Sequence, residues 1–239
     1  IKSKDKDLKF YCTNYLIKFR IDTLLTKEPD TIDWIKNFKK DDIFFDVGAN
    51  IGLYSCFAAK NGIKTFSFEP SVFNTEALVK NININKLSNL ITLIPISLHE
   101  NNLISSFKLS SQEKGSALST FAENYTHDGK EIDTVISYNT LGISLDKCVE
   151  LFKIPYPDKM KIDVDGIEHL ILKGAKNILK KCDSVLIEVN ENFAEQHLEV
   201  LRIMEENDFS LISKKNTVDS IMFNKSFNQI WQKNKKIKL

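Results

Sequence analysis

Short apolar runs that alternate with helical stretches constrain the fold of this chain more than any other feature of its sequence. Stretches with helical spacing of apolar residues lie between the runs, and one of them, LYSCFAAKNG (53–62), closes on a glycine. Strands that alternate with helices of about ten residues predict right-handed βαβ units around a parallel sheet. The runs that read as strands are IFFDV (43–47), KTFSFEP (64–70), LITLIP (90–95), KMKIDV (159–164) and SVLIEV (184–189).

The two ends of the chain complete the predicted domain. Two last apolar runs, FSLIS (209–213) and SIMFN (220–224), flank the polar KKNTVD and predict an antiparallel hairpin that brings a doubly wound α/β sheet to seven strands. Residues 28–39 have helical spacing behind Pro29, which suits a helix start. We therefore expect a helical N-terminal lead-in at 1–40, the α/β domain at 41–224 and a basic, frayed C-terminal tail at 225–239.

The alternation lapses between residues 97 and 159. This segment is rich in Ser, Asn, Thr and charged residues, with weak strand patterns at LISSFKL and IDTVISY. It predicts a mostly irregular insertion with one β-ribbon, and an insertion of this length is typical of a lid or binding loop. Beyond it, EHLILKGAKNILKK (168–181) reads as one continuous helix.

Composition and charge exclude several classes of function. The 33 Lys and Arg balance 32 Asp and Glu, so the net charge of +1 gives no global reason to expect nucleic acid or an anionic membrane as a partner. No apolar run reaches the roughly 18 to 20 residues of a membrane span, and IKSKDKDLKF lacks the apolar core of a signal peptide. The four cysteines form no C-x-x-C pair, which favours reduced thiols. We expect a cytoplasmic protein, and the sequence does not indicate its oligomeric state.

The stretch DIFFDVGANIG places a glycine turn directly after the first strand. Ligands of open parallel sheets bind outside the carboxyl ends of the strands, so this turn is the expected binding edge. A dinucleotide fold has G-x-G-x-x-G here, whereas this turn runs from Gly48 to Gly52 with Asn50 where the middle glycine would be. A turn with that side chain and with the acidic Asp46 before it suits an ammonium group better than a pyrophosphate.

The second strand adds a ribose contact to this edge. Glu69 ends that strand and is placed to accept hydrogen bonds from both hydroxyls of a ribose. Adenosine joined to an amino acid, without phosphate, describes S-adenosylmethionine, for which we expect contacts from Asp46, Gly48, Asn50, Gly52 and Glu69. The alternative is that the glycines serve only tight packing and that Glu69 is a solvated strand end.

Two longer sequence motifs resemble those of a known protein family. FFDVGANIGLYS with FSFEPS, and KIDVDGIEHLILKGA further on, resemble the two signatures of the FkbM family of S-adenosylmethionine-dependent methyltransferases. The resemblance spans roughly 41 to 191 and implies a class I methyltransferase fold that transfers methyl to a hydroxyl of a sugar or secondary metabolite. It also implies that Ser97 and Leu98 lie near the adenine. Asp165 stands where the family usually has Glu.

Three carboxylates at the ends of the central strands are the catalytic candidates. Asp163 is the first choice for orienting the acceptor or taking its proton, with cofactor binding or helix entry as alternatives. Asp165 can act in catalysis or in a capping box with Glu168. Glu188 can contact the acceptor or be structural. Lys161 shares a strand face with Asp163, where a salt bridge is the plainer interpretation, and the histidines weighed as bases are His99, His127 and His169.

The sequence thus favours an O-methyltransferase that acts on a sugar of a polysaccharide, a glycolipid or a related metabolite. We expect a small-molecule or glycan acceptor and no metal, because the D-V-D motif lacks the second acidic pair of an oxygen cage. One alternative is methylation of nitrogen or of nucleic acid, which would need a basic, aromatic acceptor face. The other is a module that binds S-adenosylmethionine without turnover.

Overall fold

A computed structural model describes residues 7–216 and 226–234. Its strands are β1 (Ile43–Val47), β2 (Lys64–Phe68), β3 (Ile91–Ile94), β4 (Ser97–Leu98), β5 (Leu103–Leu109), β6 (Ser119–Phe121), β7 (Ile136–Ile143), β8 (Lys159–Ile162), β9 (Ser184–Asn190), β10 (Phe209–Asn216) and β11 (Ser226–Lys233). Its helices are α1 (Tyr15–Thr23), α2 (Pro29–Lys36), α3 (Leu53–Lys60), α4 (Val72–Ile84), α5 (Leu145–Phe152), α6 (Glu168–Lys173), α7 (Lys176–Lys181) and α8 (Ala194–Glu206).

The main sheet of the described residues has seven strands in the order β10-β11-β9-β8-β1-β2-β3. The five strands from β9 to β3 are parallel, while β11 runs antiparallel to both β9 and β10. This is the predicted doubly wound sheet with a terminal antiparallel pair. Because the chain crosses over on either side of β1, the carboxyl ends of β8, β1 and β2 form the crevice in which such folds bind ligands.

The C-terminal boundary of the domain differs from the prediction. Residues 226–233 were expected in a frayed tail, but they form β11, between β9 and β10, while the predicted strand at 220–224 lies outside the described residues. Local sequence did not indicate this strand, because it contains the buried polar residues Ser226, Asn228 and Gln229 and therefore lacks an apolar run. Pairing on both edges satisfies the backbone, and Trp231 supplies the buried apolar anchor.

The insertion is more ordered than predicted. Residues 97–143 contain a second, four-stranded sheet in the order β4-β7-β5-β6, and α5 follows directly. Phe107 and Phe121 of this sheet belong to the same apolar cluster as Phe45 of β1. The prediction of a mostly irregular segment was wrong because short strands with polar outer faces carry weak periodicity, and pairing between distant residues decides their structure.

The predicted helix at 168–181 is divided into α6 and α7. The carboxylate of Asp146 accepts the backbone N–H groups of Asn177 and Ile178, and thereby caps a new helix start. Gly174 lies at the break, where a Cβ would be 2.6 Å from the carbonyl oxygen of His99. The second sheet therefore packs directly against the point at which the helix is interrupted.

The N-terminal lead-in packs over the carboxyl edge of the main sheet. Ile17, Ile21 and Leu24 bury the inner face of α1 against a cluster that includes Phe44 of β1. The Asn14 side chain caps α1 by accepting the N–H of Ile17 at 2.8 Å. In the described part of the chain, no helix is long and apolar enough to cross a membrane.

Candidate active site

The glycine turn joins the three central strands. The N–H groups of Gly48 and Ala49 both donate to the carbonyl of Phe68 at the end of β2. Gly48 has a φ of +80°, and a Cβ at this residue would lie 1.9 Å from the carbonyl oxygen of Asp163, which follows β8. Only glycine fits both the backbone conformation and this contact.

Asn50 and Glu69 connect the turn to the second strand. The N–H of Asn50 donates to one Glu69 carboxylate oxygen at 2.8 Å, and the N–H of Ser71 donates to the other at 2.9 Å. Burial raises the pKa of Glu69 to about 7, although both hydrogen bonds favour the ionised form. The carboxylate thus has the position predicted for a ribose contact at the end of β2.

A small cavity of ≈ 60 Å³ lies beside Glu69. Gly48 and Asn50 line it together with Ser97 and Leu98. The hydroxyl of Ser97 is buried and finds no hydrogen-bond partner within the described residues. A buried hydroxyl of this kind is available to a polar ligand atom, and the apolar neighbours Leu98 and Ile96 suit the face of a base.

A segment of the insertion, which we call the strap (residues 110–118), lies over the turn. The carbonyl of Ser116 accepts the side-chain amides of Asn50 at 2.8 Å and Asn74 at 3.2 Å. The N–H of Leu118 donates to Asp165 at 2.8 Å. Ser116 lines the small cavity and a larger neighbour, so the strap lies between the two.

The larger cavity has a volume of ≈ 380 Å³. It lies under α1, which supplies Arg20 and Leu24 to its wall. All three catalytic candidates, Asp163, Asp165 and Glu188, line it. Gly48, Asn50, Asp163 and Asp165 line both cavities, so the two cavities are adjacent and share a wall.

The charge of this cavity is concentrated around Lys161. Its ammonium lies 2.5 Å from a carboxylate oxygen of Asp163 and 5.0 Å above the ring of Tyr54, and its side chain is only 1% exposed. Burial opposes the charge of Lys161, but the carboxylates of Asp163, Glu28 and Asp46 outweigh it and raise its pKa. The salt bridge expected from the sequence is therefore present, at a buried position within the site.

Asp163 and Glu188 are two acidic residues at the wall of the large cavity. The Asp163 side chain remains 26% exposed because it lines the cavity. Burial opposes the charge of Asp163, yet Lys161 lowers its pKa. Burial and the nearby Asp163 charge raise the pKa of Glu188 well above its usual value. The two shifts have opposite directions and favour the negative charge on Asp163.

Two residues predicted to contact the cofactor are placed elsewhere. Asp46 is 1% exposed beneath the turn, where the hydroxyl of Ser55 donates to it at 2.5 Å. A Cβ at Gly52 would lie 2.0 Å from Leu78 of α4, so this glycine permits helix packing. Neither Asp46 nor Gly52 is among the described residues that line the two cavities.

The D-x-x-E motif after β8 serves two different contacts. Asp165 does not cap the helix but accepts the N–H groups of Leu118 and Ser119 from the strap and β6. Glu168 is buried and accepts the N–H groups of Val164 at 2.9 Å and Gly166 at 3.0 Å. Glu168 is therefore the residue of this motif that stabilises the turn, whereas Asp165 lines the cavity wall.

Sequence reasoning missed the contribution of the N-terminal lead-in, of α3 and of α4. Arg20, Lys27 and Tyr54 line the large cavity, and Asn74 lines the small one. The helical spacing of α1 could have identified its buried face, but the partner of that face depends on the tertiary fold. Of the three histidines considered, His127 lines the large cavity, while His99 and His169 are buried elsewhere.

His169 offers a test of burial against charge. Its side chain is fully buried against Phe193, and neither ring nitrogen finds a hydrogen-bond partner in the described residues. Burial lowers its pKa to about 4, so the unfolded chain gains a proton between pH 6.5 and 4 that the folded chain does not, and stability is lost over that window as pH falls. Between pH 7 and pH 4.5, we expect the free energy of unfolding of the parent to fall by about 2 kcal/mol more than that of His169→Leu.

Urea unfolding at several pH values measures this difference. An equal loss of stability on acidification in the parent and in His169→Leu would contradict the interpretation.

Comparison with known proteins agrees with the fold and the motifs. Residues 46–211 match the Methyltransferase FkbM domain. The sheet order and the position of the crevice define a class I, Rossmann-like methyltransferase fold. The chain belongs to the FkbM methyltransferase family, as the two motifs predicted.

Individual relatives extend this result. The chain is 30% identical over 167 residues to the hexuronic acid methyltransferase AglP of Haloferax volcanii; the match covers 70% of this chain and 64% of AglP, less than two thirds of its length. The methyltransferase FkbM structure from Methylobacillus flagellatus has a TM-score of 0.57 at 15% identity, covering 82% of this chain and 44% of that one. A putative rRNA methylase from Clostridium thermocellum has a TM-score of 0.54 at 12% identity, covering 87% and 96%. At 15% and 12% identity, these two structures show the fold alone.

Proposed function

We propose that this chain transfers a methyl group from S-adenosylmethionine to a hydroxyl group of a sugar. The observation that carries the proposal is that the two cavities are adjacent and share wall residues. Glu69, the predicted ribose contact, lines one, and Asp163 lines both, as do Gly48 and Asn50 of the turn. A ligand with a ribose at one end and a reactive centre at the other fits this arrangement.

The residues present suit the cofactor. Glu69 would accept the ribose hydroxyls, and Ser97 with Leu98 would contact the base, since the buried hydroxyl of Ser97 is available to a ligand atom. Gly48 and Asn50 would border the remainder. When bound, S-adenosylmethionine supplies a methyl group already activated by a sulfonium, so the protein has mainly to align an oxygen, exclude water and accept a proton.

Asp163 is the base in this proposal. Its carboxylate is ionised and partly exposed in the large cavity, which makes it available to the acceptor hydroxyl. Asp163 would take the proton that the acceptor hydroxyl releases as its oxygen gains the methyl group, while the methyl–sulfur bond breaks and the sulfonium is left as a thioether. Leu16, Phe19 and Leu24 of the lead-in provide an apolar wall that limits water at this point.

The acceptor class rests on the relative and on the cavity. AglP is named for a hexuronic acid, which is a sugar. The ≈ 380 Å³ cavity is within the usual range of small-molecule sites, about 300–1,000 Å³, and Arg20 and Lys27 at its wall provide cations for a polar or acidic sugar. With a net charge of +1, we do not propose nucleic acid as the acceptor.

Calorimetric titration with S-adenosylmethionine tests the cofactor half of the proposal. We expect Glu69→Gln to weaken binding by at least about tenfold, or 1.4 kcal/mol, because a neutral amide accepts hydroxyl hydrogen bonds less strongly than a carboxylate. Since the pKa of Glu69 is about 7, affinity in the parent should also rise from pH 6 to 8 as the carboxylate ionises. The Gln variant should lose this pH dependence.

Glu150→Gln provides the control. Glu150 is 71% exposed on α5 and lines neither cavity, so its substitution should leave affinity unchanged. Absence of binding by the parent would overturn the cofactor assignment. Once binding is established, a panel of methyl glycosides and uronosides with radiolabelled cofactor tests the acceptor, and methylation of none of them would count against a sugar.

A further inference from the structure

Lys161 is a buried cation among four carboxyl groups. Asp163 is in direct contact, Asp46 and Glu28 are close enough to raise its pKa, and Glu188 lies close enough to Asp163 for that charge to raise the pKa of Glu188. A cation buried to 99% loses its hydration and is retained only if its partners replace it. This cluster includes the base that the proposed function requires.

The strand register fixes the cluster. Asp46 of β1 lies directly opposite Lys161 of β8, so their side chains leave the same face of the sheet. Lys161 is also paired with Leu186 of β9. Asp163 and Glu188 each follow two residues later, so the same register places them side by side on one face of the sheet. The arrangement thus depends on rigid parallel pairing rather than on a flexible loop.

Other elements complete the surroundings of the pair. Tyr54 of α3 lies under the ammonium of Lys161 and is hydrogen-bonded to Glu28 at the start of α2. The charge of Lys27 acts on Asp163, and that of Asp165 acts on Glu188. The cation in direct contact with the Asp163 carboxylate is the Lys161 ammonium, at 2.5 Å.

We propose that Lys161 is a positioning residue that keeps the negative charge of the Asp163 and Glu188 pair on Asp163. The buried Lys161 ammonium lies 2.5 Å from the Asp163 carboxylate, so it stabilises negative charge there and holds that carboxylate at the cavity wall. Asp163 is then the member of the pair that can take the acceptor proton. The naming of Asp163 as the base rests on the proposed function, but the distribution of the proton does not.

Carbon-13 NMR of side-chain carboxyl groups tests this distribution without cofactor or acceptor. Protein labelled at the aspartate and glutamate carboxyl carbons is titrated with acid and base, with Asp163→Asn and Glu188→Gln used for assignment. In the parent at pH 7, we expect the ionised resonance for Asp163 and the protonated one for Glu188. In Lys161→Met, the Asp163 midpoint should rise by about 1–3 pH units, because its opposite charge is gone.

Two further variants separate positioning from a general structural role. Lys161→Arg restores a cation and should reverse most of the shift. Lys159→Met removes a largely buried cation from the same strand, whose partners are Asp42 and Asp183, and should leave the Asp163 midpoint unchanged even if it lowers stability.

Three results would overturn the proposal: an ionised Glu188 in the parent at pH 7, an unshifted Asp163 midpoint in folded Lys161→Met, or an equal shift in Lys159→Met. If Lys161→Met does not fold, Lys161→Gln replaces it in the titration. The protonation state of Glu188 in the parent at pH 7 then still tests the proposal. Failure of methyl transfer or of cofactor binding would not alter these titrations, so failure of the proposed function is distinguishable from failure of this inference.

Discussion

Replacing Asp163 with asparagine is expected to slow methyl transfer by about 10²–10⁴-fold, the usual contribution of a general base. Asparagine preserves the shape of the side chain but cannot accept the proton of a sugar hydroxyl. Because the proposed contacts of the ribose and the base are Glu69 and Ser97 rather than Asp163, cofactor affinity should change by less than about threefold. Turnover with the acceptor found in the glycoside panel, together with calorimetry of cofactor binding, measures both quantities.

Glu188→Gln is the matched comparison for this variant. Glu188 carries the proton of the pair, and a glutamine amide can still donate to Asp163, so we expect a loss of less than about tenfold. The reverse order, with Glu188→Gln nearly inactive and Asp163→Asn active, would move the base to Glu188. A large loss of cofactor affinity in Asp163→Asn would instead indicate a cofactor contact, which was one of the alternatives for this residue.

The parallel strands of the main sheet could be predicted because they depend on local pattern and on general rules of chain connection. Apolar runs separated by helices indicated five parallel strands, and the rule that ligands bind at the carboxyl ends located Glu69, Asp163 and Glu188 at one edge. The small second sheet and β11 could not be predicted in this way. Their polar residues are buried by pairing with distant strands, a property that local periodicity does not record.

The site shows the same division between local and tertiary information. The positions of Glu69, Ser97 and Asp163 follow from strand ends, whereas the roles of Asp46 and Gly52 do not. Asp46 is within the strand and points toward Ser55 of α3, and Gly52 faces Leu78 of α4, so the packed helices decide their contacts. Likewise, the spacing of Lys161 and Asp163 predicted a shared face, but only the register with β1 and β9 brings Asp46 and Glu188 to the same face.

Gly48→Ala is expected to cost about 3–5 kcal/mol of folding free energy, near the upper end of single substitutions. Alanine at a φ of +80° costs about 1–2 kcal/mol by itself. The remainder comes from the contact at 1.9 Å between the new Cβ and the carbonyl oxygen of Asp163. That backbone cannot move freely, because the N–H of Asp163 donates to Val47 of β1 at 3.1 Å.

Gly62→Ala separates the two contributions. Gly62 has a φ of +88°, but no atom lies within 4 Å of a Cβ built there, so the substitution should cost only the conformational 1–2 kcal/mol or so. Urea unfolding of both variants gives the difference. Equal losses would mean that the turn and Asp163 move apart without strain. A larger loss at Gly48, accompanied by weaker cofactor binding in the fraction that remains folded, would mean that the glycine holds the cofactor turn and the catalytic carboxylate at a fixed distance.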